Sequence, residues 1–176
     1  MINLDRKLLL IFNSIKVVCF DFDGVFTDNK VYTNEFGQEM ICCNRSDGIG
    51  ISNIKKYGLK IFVISTEKNP VVSNRCSKLN LKCYQSVGDK ACKLKEISNE
   101  LSIPLKNFAF VGNDTNDLGA LKVVGLPIAV SDSYPEILHL CTYTTKNKGG
   151  NGAVRELCDI FVYAKQTFKL GEEGEF

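Results

Sequence analysis

The sequence lacks three features that would each indicate a particular class of protein. Its 22 basic and 20 acidic residues leave a formal net charge of only +2, whereas a nucleic-acid-binding protein is expected to carry a clustered basic face. No apolar run approaches the length that a membrane-spanning helix needs. We therefore expect neither a nucleic-acid partner nor an association with a membrane.

The cysteine spacing typical of a zinc or redox site is also missing, although the chain contains eight cysteines. No Cys-x-x-Cys pair occurs, and Cys19, Cys83 and Cys158 lie within apolar segments. Buried free thiols in a reducing compartment explain this pattern better than a disulfide framework or a zinc site. The apolar residues 8–12 lack a small-residue cleavage site after them, so they predict a leading helix and not a signal peptide. These features predict a cytoplasmic protein.

What the chain does contain is a regular alternation of short apolar runs and segments with helical spacing. The 176 residues are enough for one domain with a complete core. The alternation predicts a parallel sheet with helices on both faces, an α/β fold. We expect strands at 17–20, 60–64, 81–84, 108–111 and 127–130, and helices at 4–13, 48–57, 70–79, 89–101, 114–123, 134–140 and 151–165. We expect a β-hairpin over about 29–44, one domain over residues 1–170, and a disordered tail at 171–176.

The predicted site is organised around VVCFDFDGVFTD, residues 17–28. The apolar run predicts a strand buried on both faces, and Asp21 and Asp23 come where that strand ends. In an open α/β sheet, ligands bind at the carboxyl ends of the strands. Two carboxylates there repel each other unless a divalent cation such as Mg²⁺ lies between them. An acidic turn after a strand is the alternative that this segment leaves open when taken alone.

Polar residues also follow other predicted strands. Ser65 comes after the strand at 60–64, Lys90 begins a helix, and the segment VGNDTND, residues 111–117, ends a further strand. Within that segment, Asp114 and Asp117 are one helical turn apart. Each has a structural explanation when taken singly, as a helix cap, a solvated lysine or an acid near a helix N-terminus.

Taken in order, these four segments resemble the four motifs of the haloacid dehalogenase-like (HAD) phosphohydrolases. The resemblance implies a Rossmann-like fold and the Mg²⁺-dependent hydrolysis of a phosphomonoester. It implies that Asp21 is the nucleophile and forms an aspartyl-phosphate. It also implies that Asp23 protonates the leaving oxygen and later activates water.

The remaining motif residues receive supporting roles from the same resemblance. Ser65 would hold a phosphoryl oxygen, and Lys90 would neutralise charge on the nucleophile and the phosphate. Asp117 would orient Lys90 or a metal-bound water. The expected metal ligands are Asp21, Asp23 and Asp114. The fourth motif has Asn113 where the family frequently has Asp.

Three segments, DFDGVFTD, NRSDGIGI and GGNGAVRE, resemble the branch of the family that acts on phosphorylated eight- and nine-carbon keto-sugar acids. Only the hairpin separates the first motif from the next helix, so we expect no large cap domain. In that branch the hairpin assembles subunits, which implies a homotetramer with active sites near subunit interfaces. The expected substrate-binding residues are Arg45, Thr66, Glu67, Arg75, Lys78 and Arg155.

Two substrates remain in competition. In octulosonate 8-phosphate phosphatases the hydroxyl of the second motif is typically followed by Gly-Arg, whereas here Thr66 and Glu67 follow. A glutamate there resembles the enzymes that act on nonulosonate 9-phosphates, so a sialic-acid-type 9-phosphate is our first expectation and 3-deoxy-manno-octulosonate 8-phosphate is the alternative. A non-catalytic oligomerisation module of a sialate cytidylyltransferase system is a third hypothesis, which the intact acidic residues and Lys90 disfavour. The chain order of the first motif disfavours a receiver domain.

Overall fold

Among the described residues, six parallel strands form the centre of the molecule. The computed structural model describes residue 2 and residues 4–172, with side chains up to residue 169. The strands are β1 (Val17–Phe20), β4 (Lys60–Ile64), β5 (Lys82–Tyr84), β6 (Phe108–Gly112), β7 (Leu126–Ala129) and β8 (Tyr143–Thr144). They are hydrogen-bonded in the order β5-β4-β1-β6-β7-β8, with β1 at the centre between β4 and β6. A separate antiparallel pair consists of β2 (Tyr32–Thr33) and β3 (Glu39–Met40).

In the part of the chain that the structure describes, seven helices surround the sheet. Their bounds are α1 (Arg6–Ser14), α2 (Ser46–Lys55), α3 (Val71–Lys78), α4 (Lys90–Leu101), α5 (Leu118–Val123), α6 (Pro135–Leu138) and α7 (Ala153–Glu172). Two short 3-10 turns lie at Leu105–Asn107 and Thr115–Asp117. Among the described residues, none of the helices combines the length and the apolar character needed to cross a bilayer.

The helices form two layers because β1 is apolar on both of its faces. Val18 and Phe20 belong to a core cluster with apolar side chains of α1, α2, α3 and α7. Val17 and Cys19 point the other way, into a cluster with side chains of α4, α5 and α6. Side chains of a strand alternate between its faces, so a strand covered on both sides must be apolar throughout. The expected α/β fold is therefore confirmed.

The hairpin is shorter than we expected. Only two residues on each side pair as strands, Tyr32 with Met40 and Thr33 with Glu39, although the expected range was about 29–44. The side chain of Asn34 accepts hydrogen bonds from the main-chain N–H groups of Phe36 and Gln38, both at 3.0 Å. The turn is thus fixed by its own side chains, while the strands that lead to it are loosely paired.

Several bounds differ from the expected ones for identifiable reasons. Helix α2 begins at Ser46 because the side chain of Asn44 accepts from the Ser46 N–H, 2.9 Å away. The helix expected at 114–123 is divided into a 3-10 turn and α5. Strand β8 was not expected. Helix α7 continues to Glu172 and so includes the first two residues of the expected tail. Residues 173–176 lie outside the described part of the chain.

Candidate active site

The carboxyl ends of three neighbouring strands converge on one point. The loops after β4, β1 and β6 begin with Ser65, Asp21 and Asn113 respectively. They surround a small cavity of about 70 Å³ that is lined by Asp21, Asp23, Asn29, Thr66, Asn113, Asp114 and Asn116. This is where an open α/β sheet binds its ligands, so the cavity is the candidate active site.

A buried lysine lies beside the cavity and bridges two carboxylates. Nζ of Lys90 is 2.6 Å from Oδ1 of Asp21 and 2.6 Å from Oδ1 of Asp117. The side chains of Lys90 and Asp117 are fully buried, and that of Asp21 is 6% exposed. Lys90 is the first residue of α4, and the Asp89 side chain caps that helix by accepting from the Cys92 N–H. The cap and the ion pairs together fix the ammonium next to Asp21.

Two carboxylates share this one cation, and the pKa values reflect the imbalance. The pKa of Asp21 is raised to about 7: burial and the charge of Asp117 raise it, and Lys90 opposes both effects. Burial alone would lower the pKa of Lys90, but the two carboxylates hold it above its usual value. Lys90 is therefore a permanent cation here, and the site carries an excess of negative charge that a further cation or a proton would relieve.

Two glycines allow the loops to approach each other this closely. Gly24 has a φ of +80°, and a Cβ there would lie 2.1 Å from Nδ2 of Asn113. At Gly112, a Cβ would lie 2.5 Å from Oδ2 of Asp117. The loop after β1 is also held by the buried Thr27, whose Oγ1 accepts from the Gly24 N–H at 3.1 Å. Any side chain at Gly24 would displace Asn113 from the cavity.

Asp23 is half-buried at the mouth of the cavity, and burial raises its pKa. The negative charges of Glu67 and Glu39 raise it further, and Lys90 lowers it. Glu39 belongs to β3, and its Oε2 accepts from Nδ2 of Asn69 at 2.8 Å. The hairpin is thus joined to the loop after β4, and both contribute an acid near Asp23. A carboxyl with a raised pKa is suited to donate a proton.

Comparison with known proteins agrees with this geometry. The family model of the haloacid dehalogenase-like hydrolases matches residues 64–157. The 3-deoxy-D-manno-octulosonate 8-phosphate phosphatase of Escherichia coli K12 is 33% identical over 153 residues, which cover 86% of this chain and 81% of that protein. The chain belongs to the haloacid dehalogenase-like hydrolases. It is a phosphatase of that family, as the motifs in the sequence indicated.

Solved structures of the family have the same fold. The octulosonate 8-phosphate phosphatase of Yersinia pestis superimposes with a TM-score of 0.89 at 29% identity, covering 94% of this chain and 90% of that one. The corresponding protein of Moraxella catarrhalis, in complex with a magnesium ion, a phosphate ion and the sugar acid, gives 0.88 at 28% identity and covers 95% and 97%. These relatives are phosphatases of octulosonate 8-phosphate, which is our alternative substrate. None of the three is named for a nonulosonate 9-phosphate, our first expectation.

The oxygen donors of this chain fit the magnesium ion that phosphatases of the family use. Among the described residues, no three Asp, Glu, His or Cys side chains are grouped as a metal site, but carbonyl and amide oxygens also lie at the cavity. The outer end of the Asn113 amide lies 2.9 Å from the main-chain oxygen of Asp23 and 3.2 Å from Oδ2 of Asp21. Carboxylate, carbonyl and amide oxygens are the hard donors that Mg²⁺ prefers.

Three other residues, expected to bind the metal, the phosphoryl group or the substrate, form hydrogen bonds within their own loops. Asp114 lines the cavity, but its Oδ1 accepts from the N–H and the hydroxyl of Thr115, at 2.6 and 3.2 Å. The hydroxyl of Ser65 is buried and accepts from the Glu67 N–H at 3.0 Å. Oε1 of Glu67 accepts from the N–H of Asn69 at 2.8 Å and so shapes its own loop. The roles of Asp114, Ser65 and Glu67 stay predictions.

The expected substrate-binding cations are divided between two other cavities. Arg45, Arg75 and Lys78 line a cavity of about 300 Å³, and Nη2 of Arg75 donates to the main-chain oxygen of Asn44. Arg155 lines a cavity of about 540 Å³, where its Nε contacts both carboxylate oxygens of Asp159 at 2.9 Å. Of the six residues expected to bind substrate, only Thr66 lines the cavity that contains Asp21.

Three residues of the cavity wall were missed from the sequence. Asn29 has a φ of +63°, which Asn tolerates better than most residues. Asn116 reaches across the cavity, with its Nδ2 3.5 Å from Oγ1 of Thr66. Asn113 had a visible signal, since it stands directly after β6, but it was treated only as a replacement for Asp.

Proposed function

We propose that the protein removes the phosphate from 3-deoxy-D-manno-octulosonate 8-phosphate by way of an aspartyl-phosphate on Asp21. The observation that supports this most strongly is the buried contact between Lys90 and Asp21 at the cavity. It keeps a carboxylate beside a cation at the strand end where a phosphate would bind. The choice of octulosonate as the sugar rests on the relatives named above.

In the first step, a carboxylate oxygen of Asp21 attacks phosphorus and the bond from phosphorus to the sugar oxygen breaks. The sugar oxygen takes a proton from Asp23, a carboxyl whose pKa burial raises. Lys90 stabilises the negative charge on the transferred group. Magnesium, when bound, supplies further positive charge next to the phosphoryl oxygens.

In the second step, Asp23 is a carboxylate and accepts a proton from water as that water attacks the same phosphorus. The bond from phosphorus to Asp21 breaks, which releases phosphate and restores both side chains to their starting states. Asp117 keeps Lys90 in place throughout, because its Oδ1 contacts Nζ and its Oδ2 accepts from the Asn113 N–H at 2.9 Å. The Ser65 hydroxyl would hold a phosphoryl oxygen.

A nonulosonate 9-phosphate is the second candidate substrate, and Glu67 is the residue that favours it. Glu67 is exposed, and its negative charge is near enough to Asp23 to raise the pKa of that residue. It would accept hydrogen bonds from sugar hydroxyls, and Arg75 and Lys78 would bind the carboxylate of the substrate. The comparisons support the eight-carbon sugar instead, so we rank it first.

The hairpin supports a proposal about assembly. Val31, Tyr32, Phe36 and Met40 are each more than half exposed, and apolar surface of this kind usually marks an interaction site. We infer that a second copy of the chain covers it, within a homotetramer. Because the hairpin contacts the loop after β4 through Glu39 and Asn69, such an interface would lie near the active site.

The proposal is tested by phosphate release with Mg²⁺ from three esters: the octulosonate 8-phosphate, an N-acylneuraminate 9-phosphate and its deaminated analogue. We expect the value of kcat/KM to be at least tenfold higher for the eight-carbon ester. The double variant Thr66→Gly/Glu67→Arg serves as a control, since it restores the residues typical of octulosonate phosphatases and should retain that preference. If the wild type instead prefers one of the nine-carbon esters, and the double variant loses that preference, the second candidate substrate is favoured.

A further inference from the structure

Cys76 on α3 and Cys83 on β5 form a pair of neighbouring thiols. All eight cysteines of the chain are free in this structure, and Cys83 packs against the core cluster that contains Cys76. We propose that this pair is a reversible oxidation site, at which a hydroperoxide converts the two thiols into a disulfide that fastens α3 to β5. The reaction is separate from phosphate hydrolysis, so the proposal does not rest on the proposed function.

The path of the chain brings the two side chains together. Residues 79–81 connect α3 to β5, and the Leu81 N–H closes this turn by donating to the main-chain oxygen of Cys76 at 2.9 Å. Tyr84, the residue after Cys83, packs against the core cluster on the other face of the sheet. Because side chains alternate along a strand, Cys83 points to the face that α3 covers.

The two thiols differ in their access to solvent. Cys76 is 1% exposed, whereas Cys83 is partly exposed on β5, which is an edge strand of the sheet. A hydrogen bond between the two thiols raises the pKa of Cys76, with burial adding to that effect, and lowers the pKa of Cys83. Peroxides react with the thiolate. Cys83 is therefore the thiol that reacts first, and Cys76 is the one that forms the disulfide with it.

The reaction balances with one molecule of hydroperoxide. The Cys83 thiolate attacks an oxygen of the peroxide, the O–O bond breaks, and the leaving oxygen takes a proton, which gives a sulfenic acid and an alcohol or water. The sulfur of Cys76 then attacks the sulfur of Cys83. The S–S bond forms as the S–O bond breaks, and the departing hydroxide takes the Cys76 proton to form water. Two thiols are oxidised and one peroxide is reduced.

Other cysteines of the chain are less suited to this reaction. Burial raises the pKa of the Cys19, Cys141 and Cys158 thiols, which keeps them protonated and slow to react. Cys92 is exposed, but its Sγ lies 3.9 Å from Oε1 of Glu96, so this neighbour is a carboxylate and not a second thiol.

Cys43 is the competing partner of Cys76, because its charge also raises the pKa of the Cys76 thiol. Burial raises the pKa of Cys43 itself, and its main chain forms an isolated bridge with Thr27 on the loop after β1. Cys76 and Cys83 are instead joined through one short turn. A short connection between two partners lowers the entropic cost of bringing them together, which favours the pair on α3 and β5.

Peptide mapping of the oxidised wild-type protein tests the proposal. The reduced protein is treated with hydrogen peroxide, free thiols are alkylated, and the protein is digested with trypsin without reductant. Lys78 and Lys82 lie between Cys76 and Cys83, so the two thiols leave in separate peptides. We expect these peptides to be joined, two hydrogens lighter than their sum, and to be separated again by dithiothreitol. Alkylated Cys76 after oxidation, or a disulfide of Cys76 with Cys43, would overturn the proposal.

Serine variants test the order of the two steps. Cys76→Ser should leave Cys83 as a sulfenic acid that dimedone traps, and Cys83→Ser should slow the loss of the Cys76 thiol at least tenfold. Cys92→Ser is the matched control with an exposed thiol removed, and it should form the disulfide at the rate of wild type. A Cys76 thiol that is oxidised equally fast without Cys83 would contradict these roles.

Urea denaturation shows whether the disulfide forms without distorting the fold. A ring closed over residues 76–83 restricts the unfolded chain, so the midpoint of oxidised wild type should rise by on the order of 1 M, while that of treated Cys76→Ser should not. A lower midpoint after oxidation would mean that the thiols are not placed for a disulfide. Because none of these experiments contains a phosphate ester, failure of the proposed phosphatase reaction would leave their results standing.

Discussion

Nζ of Lys90 lies 2.6 Å from Oδ1 of Asp21, and the side chain of Lys90 is fully buried. Removing the cation leaves the buried carboxylates of Asp21 and Asp117 without a neutralising positive charge. Breaking a buried pair in this way typically costs roughly 3–5 kcal/mol. We expect Lys90→Gln to lower the free energy of unfolding by an amount of that order in the metal-free protein, as measured by urea denaturation in the presence of EDTA.

Lys93→Gln is the matched control, because it lies on the same helix. Lys93 pairs with Glu96 at the surface, and exposed pairs of this kind contribute little. Equal unfolding curves for the two variants would mean that the Lys90 contacts do not stabilise the fold.

The positive φ of Gly24 leads to a second prediction. Gly24→Ala places a methyl group where the Asn113 amide lies, so it should reduce kcat/KM at least a hundredfold. Gly37→Ala is the control: its φ is +72°, but nothing lies within 4 Å of the added methyl. Both variants should lose about 1 kcal/mol of stability to backbone strain. Similar activity in the two would show that the contact between Gly24 and Asn113 does not matter for turnover.

Asp47 gives the stability of the protein a pH dependence. It is fully buried in α2, and its Oδ2 has no hydrogen-bond partner among the described residues. The pKa of Asp47 is raised to about 6 because the effect of burial is the largest. The Arg155 N–H that donates to Oδ1 and the positive charges of Arg75 and Arg155 lower it in part. The folded protein therefore holds this proton more tightly than the unfolded chain does.

The stability that this proton contributes should be complete below about pH 4 and lost as the pH rises through about 6. Asp47→Asn removes the titration. The difference in unfolding free energy between wild type and Asp47→Asn should therefore shift by on the order of 2 kcal/mol against wild type between pH 4 and pH 8. Chemical denaturation at closely spaced pH values measures it, and a constant difference would contradict the assignment.

The exposed hairpin predicts a change of assembly. Val31→Asp/Met40→Asp introduces two charges into the face that we expect another copy to cover, so light scattering after gel filtration should show a smaller species than wild type. Tyr163→Asp alters an exposed aromatic residue on α7 and should leave the mass unchanged. A monomeric wild type would remove the basis for a tetramer.

Much of the fold could be predicted because burial determines residue type in β1 and β4. A strand covered by helices on both faces must be apolar where it is buried. The strand expected at 60–64 matches Lys60–Ile64, in which every residue after the exposed Lys60 is apolar and buried. Strand β8 was missed because two residues are too few to show a period. The long hairpin was expected from alternation, but alternation does not say how many residues form hydrogen bonds.

The site was predictable where chemistry restricts the residue type, as it does for Asp21, Asp23 and Lys90, which the structure brings to one strand edge. Partners of long side chains were harder to predict. Arg155 was expected to bind substrate, but Asp159, four residues later on the same helix, pairs with it. That spacing is visible in the sequence. The position of the Asn113 amide is not visible in the sequence, because it lies against the main-chain oxygen of Asp23.

The central claim is that Asp21 carries the phosphoryl group during turnover. Rapid mixing of the enzyme with Mg²⁺ and the octulosonate 8-phosphate, followed by acid quenching and peptide mass spectrometry, tests it most directly. We predict that the peptide containing Asp21 gains the mass of one phosphoryl group within the first turnover, and that folded Asp21→Asn shows neither the label nor phosphate release. Phosphate release by Asp21→Asn at a rate near that of wild type would contradict the claim.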